Sequence, residues 1–177
     1  YMFGLLMVDE GDTRVRQALA VTPVPPILMI LTRTFVAMLW LCVWPILTIS
    51  LMNSTWQALD LPLLNWAAVI VSVAILAPVF ALAVPLLAAD KVGALAVFKG
   101  LTFVTLIPLA MYLIEPDAWY RFLFLASPTG WTIEAFDAFV AGKSTGYAWA
   151  AVGAFYNIGL LALCVHFFQK NIYQVQN

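Results

Sequence analysis

Few residues in this chain have the type and spacing for chemistry, and each fails a geometric requirement. Gly142-Lys143-Ser144-Thr145 imitates the end of a phosphate-binding loop, where backbone N–H groups and a lysine cradle phosphate oxygens. The full pattern needs a glycine five positions before Gly142, but Asp137 stands there and no strand precedes the segment. Glu134 and Asp137, three apart on a helix, could be paired carboxylates for acid–base work. No base accompanies them, so they read as a solvated or interfacial face. Cys42 and Cys164 lie in apolar runs without a CxxC or Cys/His grouping, which argues against a disulfide framework or a zinc site. His166 is a lone histidine four residues before Lys170, and a proton relay would need partners deeper in the chain. Asn53-Ser54-Thr55 matches a glycosylation sequon that is common by chance. No catalytic residue and no metal ligand set emerges, so the chain does not read as an enzyme.

Composition explains the shortage. Of 177 residues, 64% are hydrophobic and only 10% charged, with a mean hydropathy of +0.98. Soluble domains run nearer half apolar and a quarter charged. A chain this short cannot bury so much apolar surface in its own core, so its solvent is the lipid bilayer. The net charge of −1 supplies no basic field for nucleic acid.

A helix satisfies its own backbone hydrogen bonds in lipid, and a membrane barrel would need alternating polarity that is absent here. The expected fold class is therefore an all-α polytopic membrane protein. Residues 1–8 read as the end of a span, and four full spans follow at about 27–52, 63–89, 96–114 and 147–168. Residues 9–26 form a loop, 115–146 a hairpin and 169–177 a tail. Pro45, Pro78, Pro85 and Pro108 lie inside spans, where each should bend its helix. Alternating spans place Arg14, Arg16, Arg33, Lys91, Lys99 and Lys170 on one side and only Arg121 and Lys143 on the other. The richer side is expected to face the cytoplasm.

Both long connections carry information. In the first, Asp9-Glu10-Gly11-Asp12 opens and Thr22-Pro23-Val24-Pro25-Pro26 closes a stretch in which Thr13 to Val21 can form a short helix. Val15, Ala18, Leu19 and Val21 give that helix an apolar side, while Arg14, Arg16 and Gln17 turn towards water or a partner. In the second, two apolar arms of about ten residues flank Ser127-Pro128-Thr129-Gly130. Neither arm is long enough to cross the membrane, so they read as a helical hairpin dipping into the outer leaflet. Trp119, Tyr120 and Trp131 would then sit at headgroup depth.

Ionisable residues inside spans mark ion and proton paths. The stretches from Met38 to Met52, Leu63 to Ala89 and Gly100 to Ile114 have none, which argues against a proton- or sodium-coupled carrier. A path lined by aromatic rings and by Thr, Ser and Asn would suit large apolar or amphipathic cargo. Its candidates are Trp40, Trp44, Asn65, Ser72, Thr102, Thr105, Tyr156 and Asn157, each also able to serve as an interhelical hydrogen bond or interface anchor.

The segment from Asp9 to Val24, with its acidic start, small helix and "Val-Thr-Pro" ending, resembles the cytoplasmic signature of ABC-2 type permeases. Three further spans, a hairpin with a central proline and a last span with a short tail are similar to the family's order. Ser127-Pro128 followed by Trp131, Glu134 and Ala135 is similar to its "Pro, aromatic, Glu-Ala" pattern. Within the family, the loop looks most like those of bacterial drug-export permeases, fluoroquinolone exporters among them. Members usually have six spans, so residues 1–177 would be one ABC-2 type transmembrane domain, N-terminally incomplete through truncation or because a longer chain has been cut.

The resemblance implies an ATP-driven exporter permease of the bacterial cytoplasmic membrane, moving drug, antibiotic or lipid-like cargo. The chain itself would bind no cofactor; ATP and magnesium would sit on a separate ABC ATPase subunit, and a second permease half would complete the path. Asp9, Glu10, Arg14, Arg16, Leu19, Val21, Thr22 and Pro23 would engage the ATPase, and Pro128, Trp131 and Glu134 would shape the exit. The rival reading, a membrane-embedded lipid-modifying enzyme or a non-transporting scaffold, would need clustered acid, base or metal ligands at one depth.

Overall fold

A computed structural model describes residues 2–12, 26–56, 61–115 and 118–174. The described residues are helical wherever they form regular structure. Among the described residues there are seven α-helices: α1 (Met2–Asp12), α2 (Pro26–Trp56), α3 (Leu63–Ala74), α4 (Leu76–Leu87), α5 (Lys91–Leu106), α6 (Gly130–Val140) and α7 (Thr145–Gln174). Two 3₁₀ segments, Ile107–Leu113 and Trp119–Ala126, separate α5 from α6. Among the described residues, four helical stretches are long and apolar enough to cross a membrane: Leu31–Met52, Leu63–Leu87, Lys91–Leu113 and Thr145–Lys170. The protein is thus an all-helical membrane protein.

Some helix ends differ from the sequence expectation, and the start of α5 shows a local cause. α1 runs on through Asp12, past the Asp9 at which a loop was expected. α5 begins at Lys91 rather than near residue 96, because Asp90 caps it: the carboxylate accepts from the Gly93 N–H at 2.7 Å. α2 passes through Pro45 unbroken. The stretch from Leu63 to Leu87 is interrupted at Ile75, between two helices of twelve residues. Three residues later, Pro78 lacks the N–H that would meet the Ala74 carbonyl, and its ring crowds that carbonyl.

α4 is apolar all round, and it is the central helix, packed against α1, α2, α5 and α7. Leu76, Ala81, Leu82 and Val84 are buried within it. Small residues let its neighbours approach, as lipid-embedded helices require. Ala94 and Ala135 are fully covered, and a Cβ on Gly4 would stand 3.1 Å from Val84. At one end of the bundle, Met7, Leu82 and Phe168 form one cluster and Val8, Val84 and Ala94 another, tying α1 to α4, α5 and α7. α2 lies on the outside, with Phe35, Leu39, Trp40, Trp44 and Leu51 exposed, as suits a lipid-facing helix.

Three threonine hydroxyls inside the spans bond to their own helices. Thr34 donates to the Leu31 carbonyl at 3.0 Å, Thr48 to Trp44 at 2.9 Å and Thr105 to Thr102 at 2.7 Å. Such internal bonding makes a polar side chain tolerable in hydrocarbon.

Candidate functional site at the Pro128 hairpin

The hairpin consists of the 3₁₀ arm Trp119–Ala126, the turn Ser127-Pro128-Thr129 and α6. What fixes its turn begins at Pro108. Without an N–H, Pro108 leaves the Val104 carbonyl at the end of α5 without its helical donor, and the chain tightens there from α to 3₁₀ geometry. Ser127 supplies the missing donor, its hydroxyl reaching Val104 O at 2.8 Å. Thr129 donates to the adjacent Thr105 O at 2.7 Å. From the other side, the Tyr156 hydroxyl of α7 donates to Ala126 O at 2.7 Å. Gly130 opens α6 because no side chain fits: a Cβ would collide with the Phe124 carbonyl oxygen.

A charged cluster cross-links the arms. The Arg121 guanidinium donates from Nε to Glu134 Oε1 at 2.8 Å and from Nη2 to Asp137 Oδ2 at 3.1 Å. Tyr112, in the preceding 3₁₀ segment, donates its hydroxyl to Asp137 Oδ1 at 3.1 Å. The two carboxylates lie one turn apart on α6, so one planar fork reaches both. The sequence reading of Glu134 and Asp137 as a solvated or interfacial face without a base did not include this arginine. Their partner lies 13 and 16 residues upstream, across the proline turn. The sequence signal was a single arginine within an otherwise apolar arm.

α6 folds back on α7 through a short turn in which Gly142 takes a φ of +68°. Gly146 and Gly153 leave room for the Phe139 ring and for the Trp131 side chain respectively. Trp131 faces Trp149 with ring centroids 5.8 Å apart. Pro128 sits in the turn, and Glu134 in the charged cluster.

The eight residues proposed to line a cargo path divide into separate groups. Ser72 and Asn157 come together in a polar seam where α3, α6 and α7 meet. Asn157, fully buried, donates from Nδ2 to Ser72 O at 2.9 Å, and the Ser72 hydroxyl stands 3.4 Å from that of Thr132. Asn157 Oδ1 and the indole N–H groups of Trp66 and Trp131 are buried with no partner among the described residues. Asn65 accepts from the Tyr147 hydroxyl at 2.6 Å, nearer the start of α3. Tyr156 and Thr105 serve the hairpin turn, and Thr102 accepts from Thr105 within α5. Trp40 and Trp44 pair edge-to-face on the exposed side of α2, 5.7 Å apart.

Of the residues assigned to ATPase engagement, Arg14, Arg16, Leu19, Val21, Thr22 and Pro23 lie outside the described residues. Asp9 and Glu10 belong to the last turn of α1, where Asp9 pairs with Lys91 of α5 at 2.6 Å. Both cysteines are free thiols, and among the described residues no three His, Cys, Asp or Glu side chains gather as a metal site would require.

A protein-family model described as "Fluoroquinolones export permease protein Rv2686c-like" matches residues 1–165. Comparison with curated proteins and with solved structures gives no significant match. The matched region takes in α1 to α6, the hairpin and most of α7, and so reaches into all four membrane-length stretches. The chain therefore belongs to the Rv2686c-like fluoroquinolone export permease family.

Proposed function

We propose that this chain is the membrane subunit of an ATP-driven exporter that carries planar, amphipathic drugs of the fluoroquinolone type out of the bacterial cytoplasm or inner leaflet. The observation that carries this reading is the family match, which reaches into each of the four membrane-length stretches among the described residues. ATP and magnesium belong on a separate ATPase subunit, and a second permease half completes the path. The segment from Asp9 to Pro23 meets the ATPase. The hairpin, fastened to α5 and α7 by Ser127, Thr129 and Tyr156, forms the rim of the exit.

Inside-out vesicles holding the full-length protein and its ATPase test this directly. A fluoroquinolone, followed by its own fluorescence, should accumulate with ATP and fail to accumulate with a non-hydrolysable analogue. Accumulation that ignores ATP but collapses with the proton gradient would make the protein a secondary carrier and overturn the reading.

The orientation has its own check in a cysteine-free background. Glu115→Cys and Lys143→Cys should both react with an impermeant thiol reagent added outside whole cells, and Lys91→Cys only after lysis. Labelling of Glu115→Cys and Lys143→Cys from opposite sides would turn the hairpin into a crossing segment.

A further inference from the structure

An unbroken helix packed against an interrupted one can leave a groove between them. α2 continues without interruption along α3 and α4, which part at Ile75, and a groove lies beside Pro78. It is a groove of about 380 Å³, lined by Leu31, Thr32, Thr34, Phe35 and Met38 of α2, Pro78 of α4 and Leu161 of α7. Its volume lies in the range of small-molecule sites. None of the eight residues proposed to line a cargo path borders it.

The chemistry of the walls selects the occupant. Every one of these residues lies within a membrane-length apolar stretch. The Thr34 hydroxyl is bonded to the Leu31 carbonyl and Thr32 stands at the exposed rim, so the inner wall offers mostly methyl groups and ring carbon. Such a wall favours hydrocarbon over water. Leu31 and Phe35, about half exposed, form a rim that opens sideways to the surroundings of α2, where lipid tails supply that hydrocarbon.

Arg33 adds a charge at the same level. It falls between Thr32 and Thr34, near the start of the Leu31–Met52 stretch, and is half-buried. A guanidinium has five donors in a planar fork, so it can hold a phosphate in addition to its contacts within the chain. Basic residues between helices at the cytoplasmic boundary favour anionic headgroups. We propose that this groove binds one acyl chain of an anionic phospholipid, with the lipid phosphate held by Arg33. The leaflet, the inner one, follows from the proposed orientation; binding itself does not depend on it or on ATP-driven export.

Native mass spectrometry of the full-length protein, delipidated in detergent, tests this by titration with dioleoyl phosphatidylglycerol and dioleoyl phosphatidylcholine. One equivalent should be retained, with phosphatidylglycerol bound about fivefold more tightly, the preference expected from one basic residue at a membrane surface. Arg33→Gln should abolish the preference while one lipid still binds. Thr32→Trp, entering the groove from an exposed rim position, should displace both lipids; Leu161→Phe, filling it from α7, should do the same should the first variant fail to fold. Equal affinities in the unmodified protein would overturn the headgroup assignment. Retention that ignores both groove-filling variants would mean unspecific boundary lipid. One-for-one displacement by a fluoroquinolone would make the groove a cargo pocket, and lipid loss on self-association an interface between copies. Each of these results overturns the proposal.

Discussion

Arg121→Ala should destabilise the protein by about 2–3 kcal/mol, between the cost of breaking a fully buried ion pair and the near-zero worth of a surface one. The Arg121, Glu134 and Asp137 side chains are 17%, 22% and 32% exposed, so water screens them in part and the full buried figure does not apply. Truncation does more than remove two hydrogen bonds. It leaves two carboxylates one turn apart on α6, repelling each other where a cation had joined them. Thermal unfolding in detergent should show a lower midpoint for Arg121→Ala, and partial recovery in Arg121→Lys, because an ammonium lacks the fork that spans both acids. Neutralising the acids in the same background, with Glu134→Gln and Asp137→Asn, should restore part of the loss by removing the repulsion. A change below about 0.5 kcal/mol for Arg121→Ala would mean that the cluster behaves as a solvated surface.

The second large effect concerns coupling. Replacing Arg14 and Arg16 together by Ala should abolish cargo-stimulated ATP hydrolysis and export while the permease still inserts and unfolds at its usual temperature. An interfacial arginine paired with a carboxylate of a partner costs about 2–5 kcal/mol when truncated, whereas one left in water costs about 0–1. Two such losses would leave the ATPase bound weakly or out of register. The measurement is ATPase turnover with and without drug in reconstituted vesicles, alongside drug accumulation. Normal accumulation with a normal ATPase response would reduce both arginines to orienting charges at the membrane surface.

The residues differ in how far the chain alone discloses them. That the protein lives in a membrane follows from apolar runs with almost no charge, because no aqueous fold of 177 residues could hide them. The helical spans and the proline-centred hairpin follow from the same runs. Backbone groups in hydrocarbon must bond within their own segment, and ten residues cannot cross. The acidic-to-"Val-Thr-Pro" segment carries its resemblance to export permeases in sequence alone, because a contiguous motif needs no tertiary contact to be read.

Other features need partners far apart in the chain. Arg121 could not be matched to Glu134 and Asp137 until the turn at Ser127-Pro128-Thr129 folded one arm onto the other. That turn is fixed by carbonyls of Val104 and Thr105, which lie more than twenty residues from the hydroxyls that satisfy them. Asn157 reads as one polar residue among several in a span, yet it reaches the backbone of Ser72, 85 residues earlier. Pro45 and Pro78 carry the same covalent restriction, but α2 absorbs one while α3 and α4 part at the other. Helix formation in lipid is decided locally, by backbone hydrogen bonds, and the sequence determines it. Which polar groups meet, and where a groove remains, depends on how helices of fixed shape pack, and only the tertiary structure decides that.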